Sequence, residues 1–224
     1  MRRYACMFLI LLACLAFSGC ASAVQPTEEE VLDALTDAAA DAASDGTTVD
    51  GVMYTYEEQP DGTVVLTGYS GGTGILRLPG ELDDKTVTKI GDGMFEEDDD
   101  VQKVVVPASI TAIGERAFAG ADSLYEVMFL GSLDTVGKMA FYGCPNLQAL
   151  NFCNGVSVIG SQAMDHCASL WDVYLPAEGV LFSDTPICLG GVDTVLHVPA
   201  GSATEQTLFD LQAGTGFTGV ILPE

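Results

Sequence analysis

The chain is poor in basic residues. Of its 224 residues, 8 are Lys or Arg and 32 are Asp or Glu, which gives a formal net charge of −24. Proteins hold nucleic acid phosphates and anionic lipid headgroups mainly through Lys and Arg, so we expect no nucleic acid partner and no direct contact with a membrane surface. So acidic a surface keeps a protein soluble and opposes self-association, which favours a monomer. A basic partner is the alternative explanation of the charge.

Residue types that carry catalysis or bind metals are also scarce. The chain has two histidines, His166 and His197, and no C-x-x-C pair, so a zinc site has poor support. A phosphate-binding loop of the G-x-x-x-x-G-K-[ST] type is absent as well. The sequence therefore predicts a protein that is not an enzyme and needs no cofactor or metal. A secreted hydrolase is the least favoured alternative.

Long hydrophobic runs are missing except at the N-terminus. Arg2 and Arg3 precede the apolar run Met7–Phe17, which is too short to span a bilayer, so residues 1–23 are predicted to be a signal peptide. The end of this run, Phe17-Ser18-Gly19-Cys20, resembles a lipobox, which predicts export and a lipid anchor on Cys20 at the outer surface of the membrane. The alternative is cleavage after Ala21-Ser22-Ala23, which would yield a secreted protein.

The segment after the leader is acidic and rich in alanine. Thr27 and Glu30 form a capping box, and apolar residues then recur at helical spacing. Residues 24–50 are therefore predicted to be a linker helix that acts as a solvated spacer. A partner-binding helix is the alternative.

The central part of the chain repeats with a period of 23 residues. One column is an aliphatic residue followed by glycine: Ile90-Gly91, Ile113-Gly114, Val136-Gly137 and Ile159-Gly160. A second column is Phe95, Phe118, Phe141, Met164 and Ile187, and a third is Val104, Val127, Leu150, Val173 and Leu196. Columns of apolar residues at one phase predict stacked coils that share a continuous core, because a single coil cannot bury its own apolar side.

Each coil contains one short strand, since the apolar residues around Val127 and Phe129 alternate. Strands stacked at one phase form a parallel sheet with about 4.8 Å between coils. The glycine after each inward aliphatic residue is expected to serve either a positive φ or a close approach between backbones. Proline at 107, 176 and 199 is expected to end the strand ladder, because it has no N–H to donate.

The repeat resembles a known family. Residues 113–124 and 136–147 follow its I-G-x-x-A-F-x-x-C-x-x-L pattern, with Ala121 in place of the cysteine in the first of them and Cys144 matching it in the second. This pattern is similar to the BspA-like leucine-rich repeat, over roughly residues 62–199. The resemblance implies a curved, strand-rich leucine-rich-repeat solenoid of the α/β type, with a parallel sheet on the concave side and short turns or 3-10 segments on the convex side.

Both ends of the repeats at 83–199 are predicted to be covered. Sequences at 52–56 and 63–67 flank a turn signal, so residues 51–82 are predicted to be a hairpin cap with a divergent first repeat. Residues 200–224 are predicted to be a C-terminal cap in which Ser202 and Glu205 open a short helix. The residues expected to close the last coil are Phe209, Phe217, Val220 and Ile221.

Two clusters of polar or reactive residues have alternative interpretations. Cys144 and Cys167 share one phase; a disulfide or metal ladder is one interpretation, and a pair of small inward residues, which the family pattern supports, is the other. Cys153 and Cys188 leave the question of disulfides open. The acidic run at 96–100 is predicted to be a solvated convex loop, with calcium as the alternative.

The concave sheet is the predicted binding surface, because a solenoid presents it as a long and rigid face. Aromatic residues are enriched among interface anchors, and Trp171, Tyr174, Tyr125 and Met128 are predicted to form an apolar patch with a polar rim. Asn151 and His197 complete the predicted ligand-binding set. The resemblance implies attachment to a protein ligand, from a host's extracellular material or from another cell. A structural envelope spacer or assembly module without a soluble ligand is the alternative.

Overall fold

The computed structural model describes residues 51–71, 74–183, 189–190, 194–215 and 220–223. The predicted signal peptide, the lipidation site Cys20 and the linker helix at 24–50 lie outside these residues, as do Ile187, Cys188 and Phe217.

Short strands account for most of the regular structure. In chain order they are β1 (Met53–Glu58), β2 (Val64–Ser70), β3 (Gly74–Arg77), β4 (Glu81–Leu82), β5 (Lys85–Ile90), β6 (Val101–Val106), β7 (Ala112–Ile113), β8 (Glu126–Phe129), β9 (Leu133–Val136), β10 (Ala149–Asn151), β11 (Val156–Ile159), β12 (Met164–Asp165), β13 (Asp172–Tyr174), β14 (Leu181–Phe182), β15 (Leu189–Gly190), β16 (Val195–Val198) and β17 (Val220–Pro223). A helix, α1 (Ala203–Thr215), lies between β16 and β17.

The strands form two long sheets on opposite sides of one core. The seven-stranded sheet has the order β3-β6-β8-β10-β13-β16-β17 and is parallel throughout. The second sheet has the order β1-β2-β5-β7-β9-β11-β14, with β4 beside β5. Each central coil therefore contributes one strand to each sheet, and the predicted leucine-rich-repeat solenoid is confirmed.

The sequence predicted only the seven-stranded sheet and placed turns on the other side of the coil. The extra strands are short and do not alternate: β9 and β11 bury their first and last residues and leave the two between them more exposed. A strand with this pattern lacks the period of two by which strands are recognised in a sequence. The turns predicted for the convex side do occur, immediately after these strands at 92–97, 115–120 and 138–143.

Side chains of like phase stack directly on one another. The rings of Phe95 and Phe118 are 4.8 Å apart between centroids with 6° between their planes, and Phe118 and Phe141 are 5.1 Å apart at 7°. Tyr69 continues this stack before Phe95, and Phe129 and Phe152 form a second stack. The predicted equivalence of successive 23-residue coils is therefore confirmed.

The repeated glycines serve close approach, one of the two predicted roles. A Cβ atom on Gly137 would lie 2.5 Å from the carbonyl carbon of Gly114, and one on Gly91 would lie 2.3 Å from the oxygen of Leu66. Positive φ occurs two residues later instead, at Arg116 (54°) and Met139 (53°). The glycines therefore let the backbones of neighbouring coils come into contact.

The N-terminal hairpin is part of the second sheet. β1 pairs with β2 in antiparallel orientation, and β2 continues into the parallel ladder through Val64 and Val87 of β5. Residues Val52, Tyr54 and Tyr56 pack against the buried core. The hairpin thus extends the solenoid by one strand ladder and shields its first coil.

The C-terminal helix begins with the predicted capping box. The Glu205 backbone N–H donates to Ser202 Oγ at 3.1 Å, and the Gly201 N–H donates to Glu205 Oε2 at 2.6 Å. Leu208 is fully buried, whereas Phe209, which the sequence predicted to close the last coil, is 43% exposed. That prediction was wrong because the helix turns about 100° per residue, so its buried side carries Thr204 and Leu208, four residues apart.

Candidate binding surface

The outward side of the seven-stranded sheet, called here the seven-stranded face, carries the predicted ligand-binding residues. Strand register arranges its side chains in three columns that run across the coils. The columns are Val105, Met128, Asn151, Tyr174 and His197; Lys103, Glu126, Ala149, Asp172 and Val195; and, joined by backbone hydrogen bonds, Gln102, Tyr125, Gln148 and Trp171.

Two outward residues are buried at the end of this face nearest the N-terminus. The register places Lys103 and Val105 in line with Glu126 and Met128, yet they are only 7% and 5% exposed. The strand register places Lys103 between Ile75 and Glu126, and its Nζ forms an ion pair with Glu126 Oε2 at 2.8 Å. This part of the face therefore offers no free lysine, because Lys103 is buried and paired with Glu126.

The other end of the face is organised around His197. Its ring stacks on Tyr174 with 4.3 Å between centroids and 13° between planes. Its Nε2 lies 2.8 Å from Oδ1 of Asp172, which belongs to the neighbouring column. The ring of His197 is therefore fixed both by stacking and by a hydrogen bond to a carboxylate.

Trp171 is the most exposed large side chain of this face. Its side chain is 66% exposed, but its backbone belongs to the ladder, since its N–H donates to Gln148 O at 3.0 Å and its carbonyl accepts from Val195 N–H at 2.7 Å. The structure therefore presents an exposed indole from a fixed backbone. Trp171, Asp172, Tyr174 and His197 are called the Trp171 cluster below.

The remaining predicted residues lie on the same face with polar side chains between them. Gln148 is placed between Tyr125 and Trp171 by backbone hydrogen bonds to both neighbours. The exposed Asn151 pairs in register with Tyr174 and lies one coil after Met128. Tyr125 and Met128 are partly buried. The predicted apolar patch is thus interrupted by two amides.

The 23-residue period does not reveal the contacts that Asp172 and Thr194 make. Asp172 is diagonal to His197 in the register, and a period of 23 residues reveals only partners within one column. Thr194 follows Trp171 at the same spacing, but it is only 2% exposed and its hydroxyl donates to Leu170 O at 2.7 Å. The threonine side chain turns inward because its hydroxyl can then donate a hydrogen bond to a backbone carbonyl.

The second histidine and the cysteine beside it lie apart from the Trp171 cluster. His166 lies on a convex turn at a φ of 60°, beside Tyr142 and Asp165. Cys167 next to it is buried, and its thiol donates to Phe141 O at 2.9 Å. The described residues contain no group of three or more His, Cys, Asp or Glu placed to hold a metal ion.

The two buried thiols are small core residues. Neither Cys144 nor Cys167 is in a disulfide, and Cys144 donates to Phe118 O at 3.0 Å, the equivalent of the bond from Cys167 one coil later. A hydrogen bond with Cys167 and burial raise the pKa of the Cys144 thiol. Cys144 is therefore held in the protonated form, and both cysteines occupy the small inward position that the family pattern implies.

Carboxylates of the acidic run at 96–100 have partners within the protein. Asp98 Oδ1 accepts from the backbone N–H groups of Asp100 and Val101 at 2.9 and 3.0 Å, and its other oxygen meets the Tyr69 hydroxyl. Glu96 accepts from Nε of Arg116 at 2.8 Å. These contacts support the predicted convex loop.

Two short strings match motifs that catalytic or nucleotide-binding proteins use. Residues 68–72 fit G-x-S-x-G and residues 214–219 fit G-x-G-x-x-G. Ser70 ends β2, and the next described element is the strand β3, whereas a nucleophile elbow leads from a strand into a helix. The second string follows α1 and precedes β17, the reverse of the strand-then-helix order that a dinucleotide site requires.

Known proteins resemble the chain in sequence and in fold. Residues 84–184 match the BspA type leucine rich repeat region, in six copies. The structure is similar to that of a leucine rich repeat protein of T. pallidum, TpLRR, at 25% identity and a TM-score of 0.62, covering 70% of this chain and 73% of that one. A leucine-rich repeat protein of Bacteroides capillosus is 24% identical with a TM-score of 0.45, covering 67% of this chain and 99% of that one.

A leucine rich cell surface protein of Faecalibacterium prausnitzii is 22% identical with a TM-score of 0.47, and the match covers 71% of this chain and 51% of that one. No curated protein matches the chain. No helix within the described residues has both the length and the apolar character needed to cross a membrane.

Proposed function

Because residues 84–184 are a BspA-type leucine-rich-repeat region, we propose that the chain is a binding and adhesion module that recognises a protein ligand on the seven-stranded face. The observation that carries this proposal is the exposed indole of Trp171, which is 66% accessible on a backbone fixed at both sides by the ladder. Rigid, exposed aromatic side chains supply large contact areas at small entropic cost, and Trp and Tyr are the residues most often found at binding hot spots.

The position of the proposed site follows from which outward side chains of the seven-stranded face are buried and which are exposed. At the N-terminal end Lys103 and Val105 are buried and the one lysine is paired. From β10 onward the outward residues are two amides, Ala149, Val195, the Trp171 cluster and, on β17, the exposed Leu222 in register with His197. A ligand would therefore centre on Trp171 and Tyr174, with Asn151 and His197 beside them and Tyr125 and Met128 at the margin.

Recognition rather than catalysis is supported by how the histidines are used. His197 is stacked on Tyr174 and bonded to Asp172, and His166 lies on an exposed turn beside Tyr142. A general base needs a nucleophile within hydrogen-bond reach, and the contacts described for these two rings involve a carboxylate and a tyrosine.

The proposal places the protein at the outer surface of a cell, exported and anchored through a lipid on Cys20, with release after Ala23 as the alternative. Its support is the leader of residues 1–23 and the lipobox-like string at 17–20. Mass spectrometry of the mature N-terminus separates the two: a lipid-modified Cys20 supports the anchored form, and an unmodified terminus at Val24 supports release. The expected partner is a host extracellular protein or a protein on another cell, bound by a monomer.

The test is binding of the purified chain to an array of extracellular matrix and cell-surface proteins. Trp171→Ala is expected to weaken the binding of any protein that the wild type binds by at least about tenfold, as expected at a hot spot. Leu181→Ala is the matched control, because Leu181 is 67% exposed but belongs to the other sheet; it is expected to bind as the wild type does. Equal binding by wild type and Trp171→Ala would refute this placement of the site. A chain that binds no protein would instead favour a structural spacer.

A further inference from the structure

We propose that the Trp171 cluster binds an arginine side chain of a basic polypeptide segment, with the guanidinium stacked on Trp171 and paired with Asp172. This inference rests on the proposed function, because it names the chemistry of the ligand at the same site. It gives the acidic surface of the protein a role in binding, in addition to keeping the protein soluble.

The first support is the distribution of charge on the seven-stranded face. Lys103 is paired with Glu126, Arg77 lies at the far N-terminal edge of the sheet on β3, and β8, β10, β13 and β16 contain neither lysine nor arginine. The carboxylate of Asp172 is 44% exposed in the middle of this part of the face. The whole chain carries 32 acidic residues against 8 basic ones, so its field attracts a cationic segment and repels an acidic one.

The second support is that Asp172 is oriented before a ligand arrives. His197 Nε2 lies 2.8 Å from Asp172 Oδ1, and the His197 ring is itself held against Tyr174. A carboxylate has two oxygens with about four sites for donors, so one contact to His197 leaves capacity for a second donor. A carboxylate fixed in this way loses little freedom when it pairs with a ligand.

The third support is the identity of the neighbour. Trp171 adjoins Asp172 in the chain, and both side chains are accessible on the outside of the coil. Indole is the best of the aromatic rings for a cation. Guanidinium is planar, stacks on aromatic faces and offers its donors as a fork that fits a carboxylate, whereas an ammonium does neither as well. An exposed indole one residue before an oriented and accessible carboxylate therefore favours arginine over lysine.

The experiment uses the fluorescence of Trp171, which is the only tryptophan in the chain. The full chain is titrated with capped peptides in which glycine alternates with arginine, lysine or citrulline, at low and at physiological ionic strength. The arginine peptide is expected to change the Trp171 emission saturably, to bind more tightly than the lysine peptide of equal charge, and to weaken as salt is added. The citrulline peptide, which has nearly the shape of the arginine peptide but no charge, is expected to have no effect.

Two variants locate the effect. Asp172→Asn removes the charge and keeps the shape, and is expected to weaken the binding of the arginine peptide about fivefold, the size expected for a partly exposed ion pair. Asp134→Asn removes an exposed carboxylate from β9 on the other sheet and is expected to leave the affinity unchanged. Circular dichroism and the thermal midpoint of both variants confirm that each is folded.

The outcomes separate this inference from the proposed function. The inference would be overturned if the arginine and lysine peptides bound with equal affinity and if both Asn variants weakened that binding equally. Such a result would show only that cationic peptides are attracted to an acidic protein. A response of Trp171 to a neutral protein or a glycan but not to the arginine peptide would also overturn it while keeping the seven-stranded face as a binding surface. If no peptide changed the Trp171 emission and Trp171→Ala bound the protein array as the wild type does, both the inference and the proposed binding site would be refuted.

Discussion

Gly137 shows how little room there is between neighbouring coils. A Cβ atom at this position would lie 2.5 Å from both the carbonyl carbon and the oxygen of Gly114. The same contact recurs one coil later, where a Cβ on Gly160 would be 2.5 Å from the nitrogen of Lys138. Because these neighbours are backbone atoms, no side chain can move aside to relieve the clash.

Gly137→Ala is therefore expected to lower the free energy of unfolding by about 3 kcal/mol or more, through forced separation of two coils. Gly179→Ala is the control, because its Cβ would meet Ala203 Cβ at an ordinary 3.5 Å, and it is expected to change stability by less than about 0.5 kcal/mol. Denaturant unfolding of both variants gives the comparison. Similar stabilities would show that the coils can separate freely at this point.

The hairpin of β1 and β2 is the element that closes the first coil. Tyr54 on β1 donates its hydroxyl to Arg77 O of β3 at 3.0 Å, and so ties the edge of one sheet to the edge of the other. Burial raises the pKa of Tyr54 to about 12. Burial and a hydrogen bond to Asp98 also raise the pKa of Tyr69 on β2. Both hydroxyls are thus held in the protonated form by the fold.

The stability of the hairpin is expected to fall in alkali. Tyrosine in the unfolded chain loses its proton near pH 10, whereas folded Tyr54 keeps it to about pH 12. The unfolded state then binds fewer protons, so the free energy of unfolding declines as pH rises between these values and is unaffected below them.

Tyr54→Phe is expected to make this alkaline decline shallower, although it costs about 1 kcal/mol at neutral pH for the lost hydrogen bond. Tyr142→Phe, on a turn of another coil, is the control and should retain the wild-type decline. Denaturant midpoints measured at several pH values between about 8 and 12 give the slopes. An unchanged slope in Tyr54→Phe would show that Tyr54 ionises as readily in the folded chain as in the unfolded one.

At the scale of the whole molecule, the repeat region behaves as a one-dimensional stack. Coils meet only their neighbours, through the phenylalanine stack, the glycine contacts and the two strand ladders. Stability in such a stack is approximately a sum of coil and interface contributions. The stability of the stack therefore depends less on the number of coils than on whether each coil keeps the 23-residue spacing.

Deletion of residues 114–136, one period of 23 residues, joins Ile113 to Gly137 and restores the aliphatic-glycine pair. This variant is expected to keep a β-rich circular dichroism spectrum and cooperative unfolding at a somewhat lower midpoint. Deletion of residues 114–135, which is 22 residues, shifts every later column by one position, so that inward side chains of the strands would turn outward, and is expected to abolish cooperative unfolding. If the two deletions unfolded alike, equivalent coils would not be what stabilises the protein.

The sequence by itself determined the period, the stacked columns and the buried residues of the seven-stranded sheet. Phe95, Phe118 and Phe141 could be placed on one another because identical spacing brings identical phases together in consecutive coils. The same spacing placed Asn151, Tyr174 and His197 in one outward column.

Only the tertiary structure decided the contacts that the period does not govern. The short strands of the second sheet, such as β9 and β11, have two outward residues each and therefore no alternation to detect. The bond from His197 to Asp172 runs diagonally between columns, and the burial of Lys103 depends on neighbours in the divergent first coil. A repeat fixes what lies one turn above and below a residue, whereas side-chain length and rotamer choice decide what lies beside it.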